Sequence, residues 1–281
     1  MAFAELSDVR CHYEVLGRGA PLVLIPGLRR DCRSWDSILP KLSEHFTLIL
    51  PDNRGVGQSI AKRIPRRVAD LSADLLELFD YLQIDRAHVL GLSLGGIIAQ
   101  RFAIDHPSRI DRLVLMSCAD RFSPYLHQVA LLLRHALRRL SPEAFHLATQ
   151  ILGSSPKYID EHVEGNRVPL DEGKIDRKMT AIQLRCLACS ELNAADYRVL
   201  RPTLVVAGDE DRLIPACYAR DMAEKIPGSR FLLLHGVGHN PLEECPDEII
   251  PPIIDFLNEP RFTDAPTTLA DERVQTLELS L

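Results

Sequence analysis

The residue with the clearest chemical potential is a serine between two glycines. Residues 91–95 read Gly-Leu-Ser-Leu-Gly, directly after an apolar stretch and directly before a segment with helical spacing. A serine on a sharp turn between a strand and a helix needs small residues two positions away on each side, and both are glycine. The N–H groups at the start of that helix would face the same point. We therefore predict that Ser93 is a nucleophile; the alternative is a glycine-rich turn whose serine only caps the helix.

Of the ten histidines, His239 has the position best suited to activate Ser93. A serine hydroxyl is a weak nucleophile until a base accepts its proton, and histidine is the usual base. His239 lies in a loop after the apolar stretch 230–234 and before the last helical segment, where a side chain can reach over the edge of a sheet. We predict that His239 is the base, with His235, at the end of the same stretch, as the alternative.

We expect the acid that orients this histidine to lie in a loop that contains Asp209, Glu210 and Asp211. The loop follows an apolar stretch that we expect to be a strand, so a carboxylate in it can approach the histidine. Such a carboxylate holds the imidazole in one tautomer and stabilises its charged form. The chain order serine, acid, histidine is the one expected with this serine motif. We predict Asp211 for the role, with Asp209, Glu210 and Asp120 as alternatives.

Two backbone amides are candidates for an oxyanion hole, which binds the negative oxygen formed when Ser93 attacks a carbonyl. One donor is expected from the residue after the nucleophile, and the other from the loop that leaves an earlier strand. These residues are Leu94 and Leu28. Leu28 lies in the loop 25–30, in which Gly27 permits the turn.

Short apolar stretches alternate with helical segments along most of the chain. Nearly continuous apolar runs of this length are typical of strands buried on both faces, as in a parallel sheet. The strand candidates are 22–25, 47–50, 88–90, 112–116, 203–206 and 230–234. The helical candidates between them are 34–42, 67–82, 95–105, 216–225 and 246–257. This alternation predicts an α/β fold with a doubly wound, mostly parallel sheet.

The segment 121–200 interrupts the alternation, because its pattern is mostly helical. The predicted helices are 126–140, 142–152, 156–164 and 175–192. A helical insertion between two strands would form a cap over the carboxyl ends of the strands, where such folds bind ligands. Its apolar side chains would supply most of an acyl-binding pocket. Residues 1–120 and 201–258 would form the core, and 259–281 a mobile tail.

Composition excludes several classes of protein. The 281 residues carry 33 Lys and Arg against 39 Asp and Glu, a net charge of −6, with no long basic run, so we expect no nucleic-acid partner. No apolar run reaches the roughly 18 residues of a membrane span, and the N-terminus does not read as a secretory signal, so we expect a soluble cytoplasmic protein. Cys186 and Cys189 are spaced as C-x-x-C, but they lie in a predicted helix, where packed thiols are favoured over a metal site.

The motifs and their order along the chain resemble those of the α/β-hydrolase superfamily over about residues 10–258. The resemblance is to the lid-bearing branch of small esterases, lactonases and cofactor-free haloperoxidase-like enzymes. It is carried by residues 21–28, Trp35, 52–59, 91–96, 208–215, and Gly238 and His239 followed by Glu244 and Pro246. The loop 52–59 is similar to the family's D-x-R-G-x-G-x-S loop, whose role is structural. Pro26 is a departure, since many relatives have histidine there.

The resemblance implies a serine hydrolase that cleaves an ester, lactone or related acyl bond of a small molecule through an acyl-enzyme. Ser93 would attack, His239 would transfer the proton, and Asp211 would orient His239. The amides of Leu28 and Leu94 would bind the oxyanion. No metal and no organic cofactor is implied. A carbon–carbon bond hydrolase of the same fold and a non-catalytic, receptor-like binding protein remain alternatives.

Overall fold

The core of the protein is a sheet that takes in most of the chain's apolar stretches. The computed structural model describes residues 2–162, 176–189, 192, 197, 201–260 and 275–280. Within these residues the sheet has ten strands. They are β1 (Ala2–Glu5), β2 (Val9–Gly17), β3 (Ala20–Ile25), β4 (Phe46–Pro51), β5 (Ile60–Ala61), β6 (Ala87–Leu92), β7 (Ile110–Met116), β8 (Thr203–Gly208), β9 (Arg230–His235) and β10 (Gln275–Ser280).

The strands lie in the order β1-β2-β4-β3-β6-β7-β8-β9-β10, and β5 pairs with β2. Neighbouring strands from β4 to β10 are parallel, whereas β1 and β5 pair antiparallel with β2, and β2 pairs antiparallel with β4. The predicted doubly wound, mostly parallel sheet is therefore confirmed. The sequence reasoning missed β2 because apolar and charged side chains alternate along it, so it has no continuous apolar run.

Helices cover both faces of the sheet. They are α1 (Leu39–Ser43), α2 (Val68–Tyr81), α3 (Leu94–Asp105), α4 (Pro124–Arg139), α5 (Pro142–Gly153), α6 (Pro156–His162), α7 (Arg177–Ala188), α8 (Ala216–Ala223), α9 (Pro241–Glu244) and α10 (Pro246–Asn258). One apolar cluster joins the sheet to α2, α3 and α8, and another joins its other face to α1 and α10. None of the helices in the described residues is long and apolar enough to span a membrane.

The helices α4 to α7 lie between β7 and β8, in the segment predicted to be a cap. Three of them begin with the pair Ser-Pro, at residues 123, 141 and 155. Serine caps the first amides, and proline has no N–H that would need an acceptor at the first helical position. These local signals explain why the predicted boundaries are close to the observed ones. Residues 163–175, which include parts of the predicted third and fourth helices, lie outside the described residues.

The C-terminal segment differs from the predicted mobile tail over 259–281. Glu259 forms an ion pair with Arg112, with 3.2 Å between Oε2 and Nη1. The six residues of β10 pair parallel with β9 at the edge of the sheet. Leu279 packs against the apolar cluster under α10, which gives this short strand an attachment beyond its backbone hydrogen bonds. Residues 261–274 and 281 lie outside the described residues.

Candidate active site

Ser93 lies at the turn between β6 and α3. Its φ is +56°, a left-handed value that is uncommon for serine and is maintained by the packed strand and helix on either side. A Cβ at Gly95 would lie 1.9 Å from the carbonyl oxygen of Ile25, and one at Gly91 would lie 2.3 Å from that of Gly95. The glycine spacing is therefore a steric requirement of the turn that presents Ser93.

His239 and Asp211 form a hydrogen-bonded pair beyond the carboxyl ends of β9 and β8. His239 Nδ1 lies 2.6 Å from Asp211 Oδ2. The other oxygen of Asp211 accepts hydrogen bonds of 2.8 Å from the amides of Leu213 and Ile214. Asp211 is only 3% exposed, so this carboxylate is held in one orientation. The arrangement leaves Nε2 of His239 as the nitrogen that can exchange a proton with another group.

The alternative histidine has its own acid. His235 Nδ1 lies 2.7 Å from Asp209 Oδ2, and His235 Nε2 lies 3.6 Å from Glu278. The hydrogen bond to Asp209 is the largest cause of a raised pKa of His235. The carboxylates of Asp209 and Glu278 thus both contact His235 at the exposed end of β9. The acid that contacts His239 is therefore Asp211 and not Asp209.

The remaining alternative acids make other contacts. Asp120 forms an ion pair with Lys225. The Glu210 amide donates to the carbonyl oxygen of Val237 at 2.9 Å, which ties together the loops after β8 and β9. The Asp120 carboxylate is thus paired with Lys225, whereas Glu210 makes its contact through the backbone, and its Oε2 is buried without a hydrogen-bond partner among the described residues.

Leu28 and Leu94 both line the cavity that Ser93 lines. Leu94 is the first residue of α3, so its N–H is one of those that a helix leaves without an intrahelical acceptor. Leu28 lies in a turn in which the Arg30 amide donates to the Gly27 carbonyl oxygen at 3.2 Å. Amides placed in this way can donate to one oxyanion.

Two side chains that the sequence reasoning missed hold the loop around Leu28. Asn53 Nδ2 donates to the Pro26 carbonyl oxygen at 3.0 Å. The Arg29 amide donates to Gln183 Oε1, also at 3.0 Å. Asn53 belongs to the recognised loop 52–59 and could have been suspected, whereas Gln183 lies in α7 at a position with no sequence signal.

The cavity has a volume of about 410 Å³ and is lined by Ser93 and His239 together with residues of the insertion. Helix α4 contributes four lining residues at helical spacing, Leu126, Val129, Ala130 and Leu133. Helix α5 contributes another such row, His146, Thr149, Gln150 and Gly153. Of the other apolar side chains of α4 and α5, Phe145 also lines the cavity, whereas Leu132, Leu147 and Ile151 are exposed.

The end of α5 and the residues after it, 151–155, contact the loops of both His239 and Asp211; we call this segment the α5 junction. The His239 amide donates to the Gly153 carbonyl oxygen at 2.5 Å, and the Arg212 amide donates to that of Leu152 at 3.2 Å. Glu244 Oε2 accepts from the amide of Ser155 at 3.2 Å and from that of Gly238 at 2.9 Å. The insertion therefore supports the loops of the site as well as covering them.

The loop 52–59 is held by hydrogen bonds of Asp52 within the loop and to neighbouring segments. Asp52 accepts from the amides of Cys32 and Gln58 at 2.8 Å, and its Oδ2 lies 2.9 Å from Nδ1 of His12. Among the described residues, His12, Cys32 and Asp52 have the donor atoms of a possible metal site within 4.8 Å of one another. Burial, and next the Asp52 carboxylate, raise the pKa of the Cys32 thiol far above its usual range, so this group is a neutral thiol in the metal-free protein. The cluster fits a structural role in this loop.

Arg54, in the same loop, is buried in an ion pair with Asp74. Its Nε donates to Asp74 Oδ2 at 2.8 Å, and its Nη1 donates to the Arg63 carbonyl oxygen at 3.1 Å. Burial raises the pKa of Asp74 to about 6 despite the nearby guanidinium, which lowers it. These contacts fix the loop from the side of α2.

Comparison with known proteins gives consistent results. A profile of the Alpha/beta hydrolase family matches residues 22–251. The chain is 26% identical to a protein from Azorhizobium caulinodans named as a carbamate hydrolase, over 92% of this chain and 99% of that one. It is 30% identical to the pimeloyl-[acyl-carrier protein] methyl ester esterase of Photobacterium profundum, over 87% and 97%. Among solved structures, the enol-lactonase from Burkholderia xenovorans superposes with a TM-score of 0.80 at 25% identity, over 92% and 100% of the two chains.

Proposed function

The chain belongs to the α/β-hydrolase family and is a hydrolase, and we propose that it cleaves a carboxylic ester, lactone or related acyl bond through an acyl-enzyme on Ser93. The observation that carries the proposal is the His239–Asp211 hydrogen bond at a cavity that Ser93 also lines. A nucleophile, its base and the group that orients the base are the minimum for this chemistry.

In the first half-reaction, Ser93 Oγ attacks the carbonyl carbon of the substrate while its proton passes to His239 Nε2. The carbonyl π electrons move to the oxygen, which the amides of Leu28 and Leu94 stabilise. When the tetrahedral intermediate collapses, the bond to the leaving group breaks, and His239 returns its proton to the leaving oxygen. The product is an alcohol, or a free hydroxyl of the opened lactone, and an ester of Ser93.

In the second half-reaction, water attacks the acyl-enzyme and gives a proton to His239. The carboxylic acid leaves, and His239 returns the proton to Ser93. Asp211 stays ionised throughout and acts as a positioning residue, because it fixes the proton of His239 on Nδ1 and stabilises the imidazolium. The two peptide amides of Leu213 and Ile214 hold Asp211 itself in place.

The names of the relatives favour an acyl bond to oxygen or nitrogen. The esterase, the lactonase and the protein named as a carbamate hydrolase all point to a carbonyl with a heteroatom leaving group. These names support an enzyme ahead of a receptor. Meta-cleavage product hydrolases share the fold at 21–22% identity, so a carbon–carbon bond hydrolase stays the alternative. Labelling with a fluorophosphonate separates an enzyme from a receptor, because a receptor that lacks an activated serine does not react with it.

The proposal predicts that Ser93→Ala abolishes labelling by a fluorophosphonate and lowers kcat for a simple ester by roughly 10⁶-fold. The fold should persist, since the loss of one small hydroxyl changes the free energy of unfolding by less than about 1 kcal/mol. Mass spectrometry of the labelled wild type should locate the adduct on Ser93. Labelling that continues in Ser93→Ala, at unchanged thermal stability, would remove Ser93 from the role.

A further inference from the structure

Leu28 lies in a loop in which three consecutive peptide groups are each held by a hydrogen bond. The Pro26 carbonyl oxygen accepts from Asn53 Nδ2 at 3.0 Å. The Gly27 carbonyl oxygen accepts from the Arg30 amide at 3.2 Å. Because the Gly27 carbonyl and the Leu28 N–H belong to one planar peptide group, this second bond also sets where the Leu28 N–H points.

The third peptide group, between Leu28 and Arg29, is held by the insertion. Its N–H donates to Oε1 of Gln183, on α7, at 3.0 Å. Arg29 has a φ of +67°, a left-handed value that strains a residue other than glycine and that persists only where the surroundings hold it. The hydrogen bond to Gln183 therefore opposes a rotation of this peptide that would relieve the strain and displace the neighbouring Leu28 amide.

The amide group of Gln183 is fully buried, yet only its oxygen is satisfied. Among the residues that the structure describes, none accepts a hydrogen bond from its Nε2. A buried donor without an acceptor lowers the free energy of unfolding, and an apolar side chain of the same shape would avoid this cost. Packing alone therefore does not call for glutamine here. What an apolar residue could not supply is the acceptor for the Arg29 amide.

The same turn of α7 also contacts Leu28 through side chains. Leu184, the residue after Gln183, is buried and lines the cavity. It forms a small apolar cluster with Ala130 and Leu133 of α4, and Leu28 packs against that cluster. Gln183 itself is not among the described residues that line the cavity. It therefore acts on the loop of Leu28 and not on a bound substrate.

We propose that Gln183 is a positioning residue for the oxyanion hole: from a helix of the insertion, it fixes the peptide after Leu28 and so the direction of the Leu28 N–H. An oxyanion gains most from donors that are already in place when it forms. That gain arises in the transition state, so loss of the Gln183 acceptor should lower kcat far more than it raises KM. This role rests on the proposed acyl-enzyme function and adds a further residue to it.

Gln183→Met removes the acceptor and keeps the length of the side chain. Loss of one oxyanion donor costs about 10²- to 10³-fold in kcat, so a donor that is displaced but not deleted should cost about 10- to 100-fold, with KM within about threefold. Gln183→Leu makes the same change with a shorter side chain, so one of the two is expected to fold. Gln183→Glu retains an oxygen acceptor, burial favours its neutral form, and it should recover most of the lost kcat. Steady-state kinetics with one methyl ester measures these effects.

A matched pair of inhibitors separates positioning from a general structural role. A trifluoromethyl ketone forms a tetrahedral adduct with an activated serine, and the oxyanion of the adduct occupies the hole. The corresponding methyl ketone binds mainly as the intact ketone. In Gln183→Met, Ki for the trifluoromethyl ketone should rise by about the factor by which kcat/KM falls, whereas Ki for the methyl ketone should stay within about twofold.

Thr180→Val is the matched control on the same helix. Thr180 is buried one turn before Gln183, and its Oγ1 donates to the Asp176 carbonyl oxygen at 2.7 Å. The variant removes a buried hydrogen bond of α7 without changing a residue that contacts the loop of Leu28. Its kcat should stay within about twofold of the wild type. Thermal melting shows that the compared proteins are folded.

Three results would overturn this role: wild-type kcat in the folded Met or Leu variant, an equal loss of affinity for both ketones, or an equal loss of kcat in Thr180→Val. A Gln183→Glu enzyme no more active than Gln183→Met would also contradict it. Fluorophosphonate labelling of the wild type reports on the proposed function separately. If the wild type neither labels nor cleaves an ester, the proposed function fails and the role of Gln183 fails with it. If it does both and Gln183→Met is equally active, only the role of Gln183 fails.

Discussion

At the scale of single residues, the site contains two acid–histidine pairs that sequence spacing cannot distinguish. The residues of one pair, Asp209 and His235, are 26 positions apart, and those of the other, Asp211 and His239, are 28 apart. Both acids follow β8, and both histidines follow or end β9. What separates the pairs is burial. Asp211 is almost fully buried and holds its histidine at the cavity, whereas Asp209 lies at the exposed end of the strands.

This difference predicts that Asp211→Asn lowers kcat by about 10⁴-fold, because the amide favours the wrong tautomer of His239 and cannot stabilise the imidazolium. Asp209→Asn makes the same chemical change on the outer pair and should leave kcat within about twofold, as is usual for a surface substitution. Steady-state kinetics with one ester at several pH values measures both. Should Asp209→Asn be the damaging change, the outer pair is the functional one.

The structure also shows which residues of the site could be found from the sequence. Ser93, His239 and Asp211 could be proposed because each follows a recognisable strand and the serine has glycines at required spacings. Gln183 acts through a hydrogen bond to a segment distant in the chain, since it lies 154 positions from Arg29. No periodicity or turn signal marks such a contact, since it depends on how the insertion packs on the core.

At the scale of elements, Glu244 links the α5 junction to the loop of His239. Its Oε2 accepts from two amides, while its Oε1 is buried without a hydrogen-bond partner. Burial is the largest cause of a raised pKa of Glu244, above its ordinary value of 4.5. The protonated carboxyl is therefore favoured more in the folded than in the unfolded protein.

The sign of the stability effect follows from this shift. Between the ordinary pKa and the raised folded pKa of Glu244, the folded protein binds more protons than the unfolded chain, so its contribution to the free energy of unfolding falls as pH rises. Glu244→Gln keeps an oxygen acceptor and removes the titration. The melting temperature of the variant minus that of the wild type should therefore increase with pH. Each kcal/mol of difference moves the midpoint by about 2–4 °C in a domain of this size.

Glu248→Gln is the matched control, because Glu248 is an exposed residue of the neighbouring helix α10. Its melting temperature should follow the wild-type curve at every pH. Differential scanning calorimetry from acidic to neutral pH covers the interval. Parallel curves for Glu244→Gln and the wild type would show that Glu244 does not titrate across folding in the way its burial indicates.

Elements differ in how well the sequence predicts them, for a physical reason. The central parallel strands are buried on both faces, so β6 and β7 read as apolar runs and were identified. Strands at the sides of the sheet are buried on one face or neither, and β2 and β10 contain charged residues that conceal them. Because β10 lies at the edge of the sheet and buries little surface, it can be a strand with only two leucines.

At the scale of the whole molecule, the core and the insertion have different roles in the site. The core positions Ser93, Asp211 and His239 at the ends of its strands, and the insertion supplies about half of the cavity lining. The α4 helix shows the division within consecutive residues. Leu133 is 7% exposed, lines the cavity and packs against Leu184, while Leu132 beside it is 55% exposed and does not line the cavity.

Leu133→Ala should therefore change acyl-chain preference, whereas Leu132→Ala should not. Removing a wall contact alters discrimination between long and short acyl chains by about 1–3 kcal/mol, and it leaves the rate with a small acetate ester within a few-fold. Leu133→Ala should also lower the free energy of unfolding by about 2–3 kcal/mol, because it leaves a partial cavity. Leu132→Ala should stay within about 0.5 kcal/mol of the wild type. Measuring kcat/KM over a series of acyl lengths for both variants decides the matter, since equal profiles would mean that the acyl chain does not lie along α4.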